Sequence, residues 1–266
     1  MESKLLDLAY GGHHAALPSV LQSHPEINVN STNHNDFTAL HWACCCGHVE
    51  VVKLLLAHSG INVNPQTNTG ATPFYYGCSN GDVTVVQLLL KDPRLDVTLA
   101  DNCDCSPFAL AAQEGQYAVI EWLMASGRDL GDLNLKGEFY QHERHTALEI
   151  AREERNTEVV LLLERFMRDP ALTRHELRVR LGMLDELAAE IFALTVFLCD
   201  GLLQLKPASH PTAFAAAVRF FSMVSKLPLE LQMVLCHRAV GSMKQNILHQ
   251  DSEAALKDLA RILLAP

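Results

Sequence analysis

Three stretches of this chain superimpose at an offset of 34 residues, and that offset constrains the fold more than any other feature. Thr38-Ala-Leu-His41, Thr72-Pro-Phe-Tyr75 and Ser106-Pro-Phe-Ala109 share one register. Further positions hold it: Gly47, Gly81 and Gly115; Val51-Val52, Val85-Val86 and Val119-Ile120; Asn28-Val-Asn30, Asn62-Val-Asn64 and Asp96-Val-Thr98. A fourth copy opens at Thr146-Ala-Leu-Glu149 after a step of 40. Self-similarity at this period means a stack of small units rather than one globular core.

The chemistry of each block specifies a helical pair. Thr38, Thr72, Ser106 and Thr146 are N-cap residues, whose hydroxyls accept from free N–H groups at a helix start. Pro73 and Pro107 follow at the first helical position, where a missing N–H costs nothing. Thr146 with Glu149 makes a capping box. The glycines at 47, 81 and 115 end the first helix, where a left-handed residue is needed. A second helix follows, carrying apolar runs such as Val51-Val-Lys-Leu-Leu-Leu56. Such a pair is too small to bury its own apolar face, so only stacking makes a core.

These blocks resemble ankyrin repeats, whose period is about 33 residues with a Thr-Pro-Leu-His signature. The resemblance covers residues 1–169, beginning with a degenerate copy that has Lys4 at the Thr position and helices expected over 5–10 and 14–23. It implies an all-α fold: an ankyrin-repeat solenoid of about four repeats plus a degenerate N-terminal cap, followed by a C-terminal helical bundle over 170–266. It also implies that His41 bonds neighbouring backbone and holds successive repeats together; Tyr75 and Ala109 stand in its place in the next two repeats, which leaves that stitching open there.

Composition narrows the function. A formal charge of −10 and a pI near 5.7 argue against nucleic acid as partner, because phosphate binding needs a basic stripe. The opening Met1-Glu-Ser-Lys-Leu-Leu-Asp7 lacks the shape of a signal peptide. The apolar stretch 187–199 is short and broken by Glu190, so no membrane span is expected. Eight cysteines, three of them adjacent at 44–46, suit a reducing compartment, and a cytoplasmic or nuclear protein is expected. Cys45, Cys46, Cys103 and Cys105 with His41 or His48 carry metal-ligating atoms, but Cys103-x-Cys105 is a poor ligand pair. Cys44 and Cys78 read as small buried hydrophobes. No cofactor or metal is expected. Gly11-Gly12-His13-His14 lacks the strand and Lys of a phosphate loop. With no nucleophile–base pair or paired acids at usable spacing, an enzyme is not the favoured reading; one would need a deep cleft with perturbed titratable groups.

The family's binding surface is the concave face made by its finger tips and first helices. Carried over through the Thr/Ser anchor, its variable finger positions fall on His34, Asn35 and Phe37; on Asn68, Thr69 and Ala71; on Asn102, Cys103 and Cys105; and on His142, Glu143 and His145. The helix positions are Cys45, Cys46, Ser79, Asn80, Gln113, Glu114, Glu153 and Glu154. The face grows acidic toward its C-terminal side, with Asp101 and Asp104 adding to that end, so a basic or polar protein partner is expected. Phe37 and Trp42 are the aromatic anchor candidates. The longer step before Thr146 places extra residues around Leu135–Tyr140, where Phe139 and Tyr140 form an aromatic pair suited either to contact or to covering the last interface.

Beyond 169 the period ends. Leu184, Leu187, Ala188, Ile191, Leu194 and Leu198 keep helical spacing, as do Phe214, Ala217, Val218 and Phe221, then Leu231, Val234, Leu235 and Arg238, and finally Leu256, Leu259 and Leu263 after an Asp251 cap. Leu227-Pro-Leu-Glu-Leu231 resembles the opening of an F-box motif, which implies as an alternative function a ubiquitin-ligase substrate adaptor holding a Skp1-like protein. No terminal Trp follows Arg238, however, and Pro228 at a helix start suits any bundle.

Overall fold

Each repeat folds outward from its cap. Thr38, Thr72, Ser106 and Thr146 stand in extended backbone and accept from the N–H three residues on, at His41, Tyr75, Ala109 and Glu149. The computed structural model describes residues 2–139, 143–184, 188–189, 191–193, 224, 229–239 and 255. Contacts divide the chain into two compact units, Met1–Leu177 and Arg178–Pro266.

In the first unit the helices are α1 (Glu2–Tyr10), α2 (Leu17–Ser23), α3 (Ala39–Cys45), α4 (Val49–Leu56), α5 (Pro73–Asn80), α6 (Val83–Lys91), α7 (Pro107–Gln113), α8 (Tyr117–Ser126), α9 (Ala147–Glu153) and α10 (Thr157–Arg168), and α11 (Pro170–Arg180) begins there. The odd-numbered helices α1 to α9 touch in series, and so do the even-numbered α2 to α10. This is the stacked order that the 34-residue offset predicts. The same register positions are buried each time: Leu40, Phe74 and Phe108; Val51, Val85, Val119 and Val159; Leu55, Leu89, Leu123 and Leu163. The first copy departs from expectation at its edges. Its α1 starts at Glu2, and α2 waits until Leu17, because Gly12 makes a left-handed turn and Pro18 fits only a first helical turn.

Polar seams join the stack. The carbonyls of Leu56, Leu90 and Met124 each lie in the last turn of an outer helix, and each receives an arginine: Arg94 Nη2 at 3.2 Å, Arg128 Nη2 at 2.8 Å and Arg174 Nε at 3.1 Å. A guanidinium there both satisfies a free carbonyl and faces the negative end of the helix dipole. The third donor comes from α11, which thereby closes the array with the bond the repeats use among themselves; Thr173 Oγ1 also donates to Arg165 O at 3.2 Å. On the other side, the residue after each helix-ending turn reaches back one repeat. His48 Nε2 lies 2.9 Å from Tyr10 O, Gln116 donates to Ser79 O, and Asn156 donates to Ala112 O and Gln113 O. Asp82 cannot donate at that register, and Asn80 bonds Cys45 O instead.

The fingers form a second ladder. Within each, the N–H of residues 33, 67 and 101 bonds the carbonyl of 37, 71 and 105. Between them, Asn68 N bonds Asn35 O, Asn102 N bonds Thr69 O, and Glu138 N bonds Cys103 O. The extra residues of the 40-residue step become a two-stranded antiparallel ribbon, β1 (Gly137–Glu138) with β2 (Arg144–His145), in the register Gly137 to His145 and Glu138 to Arg144. The insertion thus lengthens a finger and leaves the stack intact.

At the helix-ending register one copy carries strain. Gly47, Gly81 and Gly115 end their helices with φ between 67° and 76°, and the fourth copy uses Arg155 at φ 60°. A side chain in that conformation is disfavoured where glycine is not. Arg155→Gly is therefore expected to raise stability by about 0.5–1 kcal/mol, read as a higher urea midpoint in tryptophan fluorescence. A lower midpoint would show that the arginine side chain supplies more than its backbone costs.

In the second unit every described residue outside a turn at 181–182 is helical. Ala188, Ala189, Phe192 and Cys236 form its buried cluster, with Ile191, Met233 and Ala255 packed on them. That joins the helical spacing around Ala188 to the helix Leu229–Ala239. Leu187, Leu194, Leu198, the 214–221 segment, Asp251 and the leucines at 256, 259 and 263 lie outside the described residues, as do Leu227 and Pro228. The helix Leu229–Ala239 serves an F-box-like opening and an ordinary bundle equally.

Candidate functional site

His41 is a buried polar side chain at the base of the fingers. It is fully buried, with Nδ1 3.1 Å from Thr38 N and Nε2 3.1 Å from Ala71 O. Nδ1 therefore accepts and Nε2 donates to the next repeat. Burial pushes its pKa down to about 4, against the opposing pull of the Ala71 and Pro65 carbonyls. The ring is a neutral staple, as the resemblance implied, and no catalytic base. Tyr75 occupies the register in the next repeat and donates its hydroxyl to Asp101 Oδ2 at 3.0 Å, so it too ties two repeats together; its pKa is raised by burial and then by the Asp101 charge.

The buried thiols behave as core. Cys44 and Cys78 are fully buried and free, and burial raises both pKa values far above the usual thiol range. Cys105 is buried with its thiol pushed up to about 12, by burial and then by Asp101, and it donates to Glu138 O. Cys46 and Cys103 are exposed with raised pKa values, the opposite of an activated nucleophile.

The surface of the face is richer in aromatic rings than Phe37 and Trp42 alone suggest. Tyr10 meets Trp42 edge to face at 5.0 Å. Phe37 lies 4.9 Å from Trp42 and 5.2 Å from Tyr76, and Tyr76 lies 5.9 Å from Tyr75. Tyr10 is 60% exposed, and the other four rings are half-buried. A continuous row of five rings thus runs from α1 across α3 to α5. Trp42, which could equally have been core, is part of it. Sequence reasoning missed Tyr10 and Tyr76. The signal for Tyr10 was the helical spacing of Ser3, Leu6, Asp7 and Tyr10 on the cap helix, which a search limited to the repeat register skips.

The remaining expected contact residues differ in exposure. His34, Asn35, Cys46, Asn68, Thr69, Asn80, Asn102, Cys103, Glu114 and Glu143 are exposed, while Cys45, Ser79 and Phe139 are half-buried. Gln113 is only 8% exposed, within the seam to Asn156. Tyr140 and His142 lie outside the described residues. The acidic C-terminal end is partly neutralised by the inserted ribbon: Arg144 pairs with Asp104 at 2.7 Å and Lys136 with Glu149 at 3.1 Å. Among the described residues Glu114 and Glu154 pair with no cation. His145 faces Glu143 through Nε2 and Glu153 through Nδ1, at 3.3 and 3.5 Å. Ligand atoms of these three residues lie within 4.8 Å of one another. Each ring nitrogen faces its own carboxylate, which ties the ribbon to the end of α9 rather than presenting one ion with three ligands.

Stacked pairs, finger ribbon and inter-repeat seams define a class, the helical repeat array. Residues 5–101 match the family model for ankyrin repeats, in three copies, and helical pairs stacked in the same series continue through α10. No match to a curated protein was found. Ankyrin repeats are generally protein–protein interaction modules and typically carry no enzymatic activity. No helix among the described residues is long and apolar enough to cross a membrane.

Proposed function

We propose that this chain is a protein-binding module, gripping a partner along the fingers and the exposed sides of α1, α3, α5 and α7. The observation that carries this reading is the five-ring aromatic row. Large rings dominate interface energies because they bury much area at little entropic cost, and a solvated surface has no need to gather five of them. The exposed polar tips, His34 and Asn35 through Asn68, Thr69, Asn102 and Cys103, would form the polar rim that such a centre requires. Toward the C-terminal side Glu114, Phe139 and Glu143 extend the surface.

The test is affinity capture from native cells with the full chain, identified by mass spectrometry, against the double variant Phe37→Ala with Glu114→Lys. Phe37 is the ring that touches both Trp42 and Tyr76, and Glu114 is an exposed acid that pairs with no cation among the described residues. A partner held on this face is expected to bind the variant at least about tenfold more weakly, with helical circular dichroism unchanged. Equal recovery on both forms would place the partner elsewhere.

A further inference from the structure

The aromatic row ends beside a groove that the reading above does not use. Its volume is about 420 Å³, and it is lined by Ser3, Leu6, Asp7, Tyr10, Asn33 and Trp42. Four of these come from α1 at helical spacing, so they form one stripe of that helix. Trp42 comes from α3 and Asn33 from the first finger. Tyr10 and Trp42 already touch each other, and Phe37 lies against Trp42 at 4.9 Å. No ligand fits between rings in such contact; it has to lie on the groove side.

The polar groups decide what it is. Asp7 is exposed, and among the described residues no cation pairs with its carboxylate. Asn33 spends its Oδ1 on the N–H groups of Asn35 and Phe37, at 2.9 and 3.1 Å, which leaves its Nδ2 as a donor. The groove therefore offers ring surface, a carboxylate and one amide donor. A guanidinium complements the first two together, because it is planar, stacks on aromatic faces and takes a carboxylate bidentately. An ammonium is a compact, strongly hydrated charge and gains less from the rings. The remaining amide suits a backbone carbonyl of the same incoming chain. A net charge of −10 adds long-range attraction for a basic segment.

We propose that this groove seats an arginine side chain of the partner protein, its guanidinium stacked on one ring of the perpendicular Tyr10–Trp42 pair, edged by the other, and bonded to Asp7. The inference rests on the protein-binding reading above and names the chemistry of one anchor. The test selects binders to the full chain from a random twelve-residue peptide library displayed on phage, then measures synthetic copies by fluorescence anisotropy. Selected peptides are expected to share an arginine. Replacing it by lysine weakens binding about tenfold or more, and Asp7→Asn in the protein weakens it about ten- to a hundredfold, the worth of one charge-assisted pair. Asp7 is exposed, so circular dichroism of Asp7→Asn is expected to match the wild type. Peptides without arginine, peptides that accept lysine at no cost, or a selection that enriches nothing would each overturn the arginine seat. Peptides lost with Phe37→Ala and Glu114→Lys but indifferent to Asp7→Asn overturn the seat alone and leave the binding face standing; peptides indifferent to every one of these changes overturn both.

Discussion

Phe74→Ala is expected to lower the stability of the N-terminal unit by about 3–5 kcal/mol, the largest effect of any single truncation in the array. Phe74 is fully buried and is the largest such side chain among the described residues. It sits on α5, the middle helix of the inner row, which touches α3 on one side and α7 on the other. Removing the ring costs its transfer energy and leaves a cavity that two flanking helices cannot close together. In a stack whose stability is the sum of repeat and interface terms, weakening the middle also weakens the coupling between its halves. Urea unfolding followed by tryptophan fluorescence is the measurement, because both tryptophans, Trp42 and Trp122, belong to the first unit and stand on opposite sides of α5. The expected result is a lower midpoint together with a shallower or divided transition. A loss below about 1 kcal/mol would mean that the array is not held together through its inner row.

Most of the array was legible because each repeat writes the same physics in the same place. Thr38, Thr72, Ser106 and Thr146 announce helix starts through cap chemistry that depends only on neighbours in sequence. Val51, Val85, Val119 and Val159 announce buried faces through register. The seams were not legible in the same way. Arg94 and Arg128 keep the 34-residue register, but their carbonyl partners lie 38 residues back, and Arg174 does the same work from a helix outside the repeats. Nothing local marks an arginine as a helix-end donor to another repeat. The candidate face was half legible for the same reason. Finger positions such as Asn35 and Asn102 follow from the anchor residue. That Phe37 reaches Tyr76, or that Tyr10 of a degenerate cap meets Trp42, depends on how two helices sit side by side. Arg144 neutralising Asp104 across 40 residues depends on an inserted ribbon whose direction no periodic pattern sets.

The stability of the first unit is expected to fall by about 3 kcal/mol as pH drops from 7 to 4 through His41 alone. In the fold this ring is neutral, its pKa pushed down to about 4 chiefly by burial. In the unfolded chain it titrates at the ordinary histidine value near 6.5. Above 6.5 the ring is neutral in both states, and its contribution to stability is complete. Between 6.5 and 4 the unfolded chain takes up a proton that the folded ring refuses, so stability declines as pH falls, by up to about 1.4 kcal/mol per pH unit. Below 4 both states are protonated and the slope ends. Surface histidines and carboxylates titrate over the same window, so the informative quantity is a difference between proteins. His41→Gln keeps an amide that can donate toward Ala71 O and cannot titrate. The stability of the wild type minus that of His41→Gln is expected to shrink by about 3 kcal/mol from pH 7 to pH 4. A difference that stays flat across this range would show that the ring carries its proton within the fold. The bond from Nε2 to Ala71 O would then belong to an imidazolium, and Nδ1 could not accept from Thr38 N, which is half of the capping box that starts α3.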